Sequence, residues 1–116
     1  MPQIISLGSE MLRINTQKNS IEVSKDGGRN WSLRRASSSS YGTFMDLLLF
    51  GQMVFAVTSK GVYFSKDKGV NWSLKRTNSS SFGDFQSIMQ DGTNLLAQTT
   101  KGLYYSKDGG TNWTRK

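Results

Sequence analysis

The chain has 116 residues and a mass of 13.0 kDa, room for one domain. It has no cysteine and no histidine, which excludes disulfides, thiol nucleophiles, Cys/His zinc sites and histidine-based triads. Fifteen Lys and Arg against eight Asp and Glu leave a net charge of +7, a field that favours anionic partners, although simple solubility accounts for it as well.

The N-terminal run Met1-Pro2-Gln3-Ile4-Ile5 lacks the basic-then-apolar pattern of a secretory signal. The longest apolar run, around Leu47-Leu48-Leu49-Phe50, is far short of the ~20 residues that span a bilayer. In chain order, four short strands are expected first at Ile4–Leu7, Met11–Ile14, Ile21–Val23 and Asn30–Leu33. Ala36-Ser37-Ser38-Ser39-Ser40 follows as a linker. Tyr41-Gly42-Thr43-Phe44 then leads into a strand at Met45–Phe50. Gly51-Gln52 turns the chain into Met53–Thr58, Ser59-Lys60-Gly61 turns it again, and Val62–Ser65 and Asn71–Lys75 complete a second set. Thr77-Asn78-Ser79-Ser80-Ser81 repeats the linker. Phe82-Gly83-Asp84-Phe85 mirrors the earlier lead-in, and strands at Asn94–Thr99, Leu103–Tyr105 and Asn112–Thr114 close a third set. Each serine run sits at the same point of the repeat and precedes aromatic-Gly, so it is expected to be a short ordered loop. No segment carries the apolar stripe of a helix.

Between the third and fourth strand of each set stands one octet. It runs Ser24-Lys25-Asp26-Gly27-Gly28-Arg29-Asn30-Trp31, and returns at Ser65–Trp72 and Ser106–Trp113, spaced 41 residues apart each time. The Asp is placed to accept backbone N–H groups inside a turn, and the Gly two positions later supplies positive φ at no steric cost. The Trp offers a large apolar face whose N–H needs a partner. The octet resembles the Asp-box, or BNR repeat, Ser-x-Asp-x-Gly-x-Thr-Trp, with Asn30, Asn71 and Asn112 where that family usually has Thr.

The resemblance implies an all-β fold of three four-stranded antiparallel β-propeller blades, at residues 1–35, 41–76 and 82–116 of one domain spanning 1–116. It also implies that the box marks architecture rather than activity. Ser24, Asp26, Gly28, Trp31, Ser65, Asp67, Gly69, Trp72, Ser106, Asp108, Gly110 and Trp113 are therefore read as structural, the competing reading being a metal or sugar site at each Asp. Known propellers mostly close with four to eight blades. Three blades form an open arc with apolar faces expected at both ends, and a second copy is the simplest source of the missing half, giving a six-bladed homodimer. A third copy or a different chain are the alternatives.

Propeller geometry puts the box turns and first turns on one side, and the linkers and second turns on the other, usual ligand side. The candidate ligand-binding residues there are Tyr41, Phe82, Lys60, Lys101, Ser40 and Ser81, with Ser38, Ser39, Ser79, Ser80 and Lys18 nearby. Hydroxyls, aromatic platforms and Lys suit lectin-like binding of a glycan or an anionic group. Alternatively, Tyr41 and Phe82 wedge between blades and the serines are solvated. A second reading of function is a protein-interaction module, such as an inhibitor or assembly factor. Arg34-Arg35, Lys75-Arg76 and Arg115-Lys116 repeat after each Trp, with Lys25, Lys66 and Lys107 in the boxes. They suit either an edge strand guarded by charge or, less strongly, a nucleic-acid footprint. Sialidases share the box, but the only Arg outside the outer strands and box turns is Arg13. Tyr41, Glu10 and Asp46 have catalytic types, yet nothing in the sequence brings them together. No enzyme activity, catalytic residue, metal or cofactor is expected.

Overall fold

The computed structural model describes residues 3–36 and 38–116. The start of the first repeat, Met1-Pro2, and Ser37 of the first linker lie outside the described residues. Three antiparallel sheets follow in chain order. The first holds β1 (Ile4–Ser6), β2 (Met11–Asn15), β3 (Ser20–Ser24) and β4 (Ser32–Arg35). The second holds β5 (Phe44–Phe50), β6 (Met53–Thr58), β7 (Gly61–Ser65) and β8 (Ser73–Thr77). The third holds β9 (Phe85–Asp91), β10 (Asn94–Thr99), β11 (Gly102–Ser106) and β12 (Thr114–Arg115). Each sheet is an up-and-down meander, and β5 lies between β1 and β9. This is the blade arrangement, with the first strand of each sheet innermost.

The fourth strands begin later than the sequence predicts, at Ser32, Ser73 and Thr114 rather than at the preceding Asn. The Asn N–H and side-chain amide and the Trp indole N–H of each octet bond inside the turn instead. Leu7 also falls outside β1: its N–H donates to the Glu10 carbonyl at 2.7 Å, closing a loop longer than the two-residue turns at Gly51-Gln52 and Gly92-Thr93. The longer loop slips the register, so Ile4 pairs with Arg13 where Leu49 pairs with Val54.

The core lies between sheets. Leu12, Ile14, Ile21 and Val23 of the first sheet meet Phe44, Leu47, Val54, Ala56 and Trp72 of the second repeat. Phe55, Val57 and Val62 on the far side of the second sheet meet Phe85, Ile88, Leu95, Ala97, Tyr104 and Trp113 of the third. Residues alternate between the two faces of a strand, so the middle sheet is apolar on both.

The end faces differ from the apolar pair expected. On the first sheet Arg13, Asn15 and Glu22 occupy positions held in later repeats by Val54 and Leu95, Ala56 and Ala97, Tyr63 and Tyr104. Arg13 pairs with Glu22 at 2.7 Å and covers Trp31 with its guanidinium 4.3 Å from the ring centre, while Asn15 donates to Glu22 at 3.2 Å. The far face of the third sheet keeps half-buried Leu96, Leu103 and Tyr105, with Met89 exposed beside them. Ile4 and Leu33, 50% and 62% exposed, flank the Arg13–Glu22 pair on the same face, so the first end is mixed in character and the other apolar.

The same asymmetry separates the three Trp. Trp72 and Trp113 are only 8% and 7% exposed, whereas Trp31 is half-buried. Trp113→Ala is expected to cost about 3–5 kcal/mol in denaturant unfolding, the range for a large aromatic removed from a core. Trp31→Ala should cost distinctly less, and equal losses would contradict the inter-sheet packing.

Candidate functional site

The three box turns are built alike. The Ser24 hydroxyl donates to Asp26 Oδ1 at 2.8 Å and accepts the Gly28 N–H at 2.9 Å. Asp26 Oδ1 accepts the Asn30 N–H at 2.8 Å, and Oδ2 accepts the Asn30 side-chain amide at 2.7 Å. The Trp31 indole then donates to the Gly28 carbonyl at 2.9 Å. Ser65, Asp67, Gly69, Asn71 and Trp72 repeat these bonds, as do Ser106, Asp108, Gly110, Asn112 and Trp113. Asn thus replaces the usual Thr with a second bond to the same carboxylate.

Backbone N–H groups of Asn30, Asn71 and Asn112, then the Ser hydroxyls and Asn amides, hold the box carboxylates at about 2, below the ordinary 3.8. Among the described residues no group of three or more Asp and Glu is placed to hold a metal ion.

The outer-strand arginines act across the blades. A register shift in β4, and another in β8, mark bulges opposite Ile21–Glu22 and Val62–Tyr63. A bulge re-aims the side chains that follow it. Arg35 reaches the second box turn, where it donates to the Val70 carbonyl and to Asn71 Oδ1. Arg76 does the same to the Thr111 carbonyl and Asn112 Oδ1 of the third. Arg34 pairs with Glu10 at 3.0 Å. Three of the cations read from the sequence as edge charges are thus bonded within the protein. Lys66 and Lys75 lie over the Phe64 ring, and Lys107 and Lys116 over Tyr105.

On the linker side, the Ser38 carbonyl accepts the N–H groups of Tyr41 and Gly42, both at 3.2 Å. The Tyr63 hydroxyl donates to the Ser40 carbonyl at 2.9 Å, and the Tyr104 hydroxyl to the Ser81 carbonyl at 3.1 Å. Tyr41 meets Tyr63 edge-on at 5.3 Å and Phe82 meets Tyr104 edge-on at 5.8 Å, so both rings pack against their own blades. Lys60 and Lys101 are exposed beside these loops, and Lys101 donates to the Ser80 carbonyl. Ser40 and Ser81 are exposed. The six candidates form two copies of one patch on neighbouring blades.

Tyr41, Glu10 and Asp46 do not form a site. Glu10 is tied to Arg34 on the box-turn side, Tyr41 lies on the linker side, and Asp46 is buried. Asp46 Oδ2 accepts the Ile88 N–H of the third sheet at 2.9 Å, while Oδ1 has no hydrogen-bond partner. Burial pushes its carboxyl above 3.8, against the opposing effect of that bond.

A cleft of about 370 Å³ opens on the box-turn side, between the Leu7–Glu10 loop and the second sheet. Leu7, Leu49 and Val54 line it, with Lys66 and Lys68 among its other lining residues. It was not anticipated from the sequence, although the Lys at 68 was visible as a break in the repeat: the matching positions are Gly27 and Gly109.

Meander sheets whose third and fourth strands are joined by box turns define a protein of β-propeller blades. The BNR/Asp-box repeat model matches residues 22–33 and 104–115, so the chain carries repeats of the Asp-box family. Among solved structures, YCF48 from Cyanidioschyzon merolae is 24% identical over 96% of this chain, with a TM-score of 0.68. YCF48 bound to D1 peptide is 20% identical over 97%, with a TM-score of 0.73. An ancestral GH74 enzyme is 18% identical over 93%, with a TM-score of 0.66. The likeness is one of fold. The chain spans 41%, 38% and 17% of those three proteins respectively. No curated protein matches it.

The titrations give a signed test. Each box Asp has a folded pKa below its unfolded one, so its contribution to stability is present above pH 3.8 and is lost as the pH falls toward about 2. Asp46 runs the other way: its contribution is full below pH 3.8 and is lost as the pH rises through its raised folded value. Asp46→Asn should therefore raise the urea midpoint at neutral pH and leave the fall below pH 3.8 in place. A lower midpoint at neutral pH would show that the ionised carboxylate is needed.

Proposed function

We propose that the chain is a non-enzymatic interaction module that presents its linker-side face to a segment of another protein. The observation that carries this reading is the likeness, along 97% of the chain, to a YCF48 structure that holds a peptide. The hydrogen bonds that hold Ser40 and Ser81 support it. Ser40 and Ser81, each with its carbonyl fixed by a tyrosine hydroxyl, sit beside Lys60 and Lys101 at matching places on adjacent blades. A partner meets two equivalent polar patches on a surface that loses little freedom on binding.

A lectin-like role, with a glycan or anionic ligand, is the second reading, favoured by the hydroxyl and lysine pairing at the same face. Tyr41 and Phe82 serve it less well as platforms, because their rings are already packed edge-on against Tyr63 and Tyr104. A displayed peptide library and a glycan array separate the two. Peptide enrichment that falls at least tenfold for the Lys60→Ala/Lys101→Ala variant supports the interaction module. Glycan binding lost in the same variant, with no peptide enriched, supports the lectin.

In this reading the ring is closed by a second copy. Leu96, Leu103 and Tyr105 occupy the positions of Phe55, Val62 and Phe64, which pack toward the third blade, and Trp31 is the box Trp that no preceding blade covers. Light scattering should give the mass of two chains, and Leu103→Asp should reduce it to one. A parent mass of one chain refutes closure by a second copy.

A further inference from the structure

The cleft beside the second box turn carries a feature that neither other box has. Lys68 has φ of 62°, in the left-handed region that strains a side-chain-bearing residue. Gly27 and Gly109 stand at the matching positions with φ of 75° and 74°, where the same turn is free of that strain. The fold does not need a lysine there, and the chain spends strain to hold one at the mouth of the cleft.

The surroundings differ from the other junction in the same direction. Leu49 lines this cleft, where the third repeat has exposed Gln90. Leu7 adds a second apolar side chain from the enlarged Leu7–Glu10 loop. Val54 closes the floor at 1% exposure. Lys66 and Lys68 are exposed, and among the described residues neither takes part in an ion pair; the two pairs present are Arg13–Glu22 and Arg34–Glu10. An aliphatic floor with the Lys68 ammonium, in no ion pair among the described residues, beside it, and Lys66, which also lies over the Phe64 ring, at its edge, is complementary to an apolar side chain flanked by carboxylates.

We infer that this cleft is a docking site for an acidic peptide segment of a partner protein, which seats one aliphatic side chain between Leu7 and Leu49, above buried Val54, and sets its flanking carboxylates against Lys66 and Lys68. It lies on the side opposite the linker-side patch, so it stands or falls independently of that surface.

The test is fluorescence anisotropy of the full chain with a labelled pentapeptide of sequence DELDE, compared with DESDE, which lacks the apolar anchor. DELDE should bind at least about fivefold more tightly, since burial of one leucine side chain exceeds that factor. Lys68→Gly should weaken DELDE by about threefold or more, the scale of one exposed ion pair, while unfolding at or above the parent midpoint because glycine suits the turn. Leu49→Gln, which installs the residue of the third repeat, should remove the preference for DELDE over DESDE. Lys107→Ala removes the same charge from another box and should leave binding unchanged. Equal binding of the two peptides by the parent, or equal losses from K68G and K107A, would overturn the assignment. So would a loss of self-association in L49Q, because a second copy would then be the occupant.

Discussion

One carboxylate in each repeat sets the geometry of everything around it. The box Asp accepts from a Ser hydroxyl, a backbone N–H and an Asn amide, all between 2.7 and 2.9 Å. These bonds fix the Gly whose carbonyl receives the indole N–H, and so fix where the Trp ring goes. In the second and third repeats the ring then fills the space against the preceding sheet. A bonding pattern of five residue types is thereby converted into an angle between blades. Each bond is modest taken singly, but the set leaves the turn one conformation.

The same turns also receive. Arg35 and Arg76 reach forward from one blade's outer strand onto the next blade's box, and Asp46 reaches sideways from one inner strand to the next. Blades are thus joined at the inner strands, at the Trp and at the rim. The cross-blade bonds are polar and directional, whereas the Trp contact is apolar and forgiving. Packing holds the blades together, and the bonds set their register. The buried Asp46 is the expensive member of the set, since its second oxygen has no partner.

The fold was legible because the 41-residue spacing aligns three copies of the octet and of the three strands around it, and errors in one copy are corrected by the others. Boundaries failed where side chains took over the backbone's bonding: Asn30, Asn71 and Asn112 are strand-like by neighbourhood but belong to the turn. The role of Arg35 and Arg76 was not legible, because it depends on bulges that appear only once register is known. Polar residues on the first sheet's end face were visible as Arg13, Asn15 and Glu22, but their meaning required knowing which face of the strand they occupy. The repeat puts the linker-side residues at equivalent places on two blades, while the packing of Tyr41 and Phe82 depends on tyrosines two strands away in the sheet. The cleft arises from the insertion at Leu7–Glu10, whose effect on the inner strand no repeat alignment displays.

The forward reach of the arginines has a consequence for how the protein is made. Box bonds span at most four residues and can form as soon as the octet has left the ribosome. Arg35 must wait for partners 35 and 36 positions later, and Asp46 for one 42 positions later. During N-to-C synthesis each blade is shaped locally before it is locked, and the locking lags by about one repeat. A translational pause after the second blade would leave Arg76 and Asp46 without their partners in the third, so the newest blade is the vulnerable one until its successor has emerged.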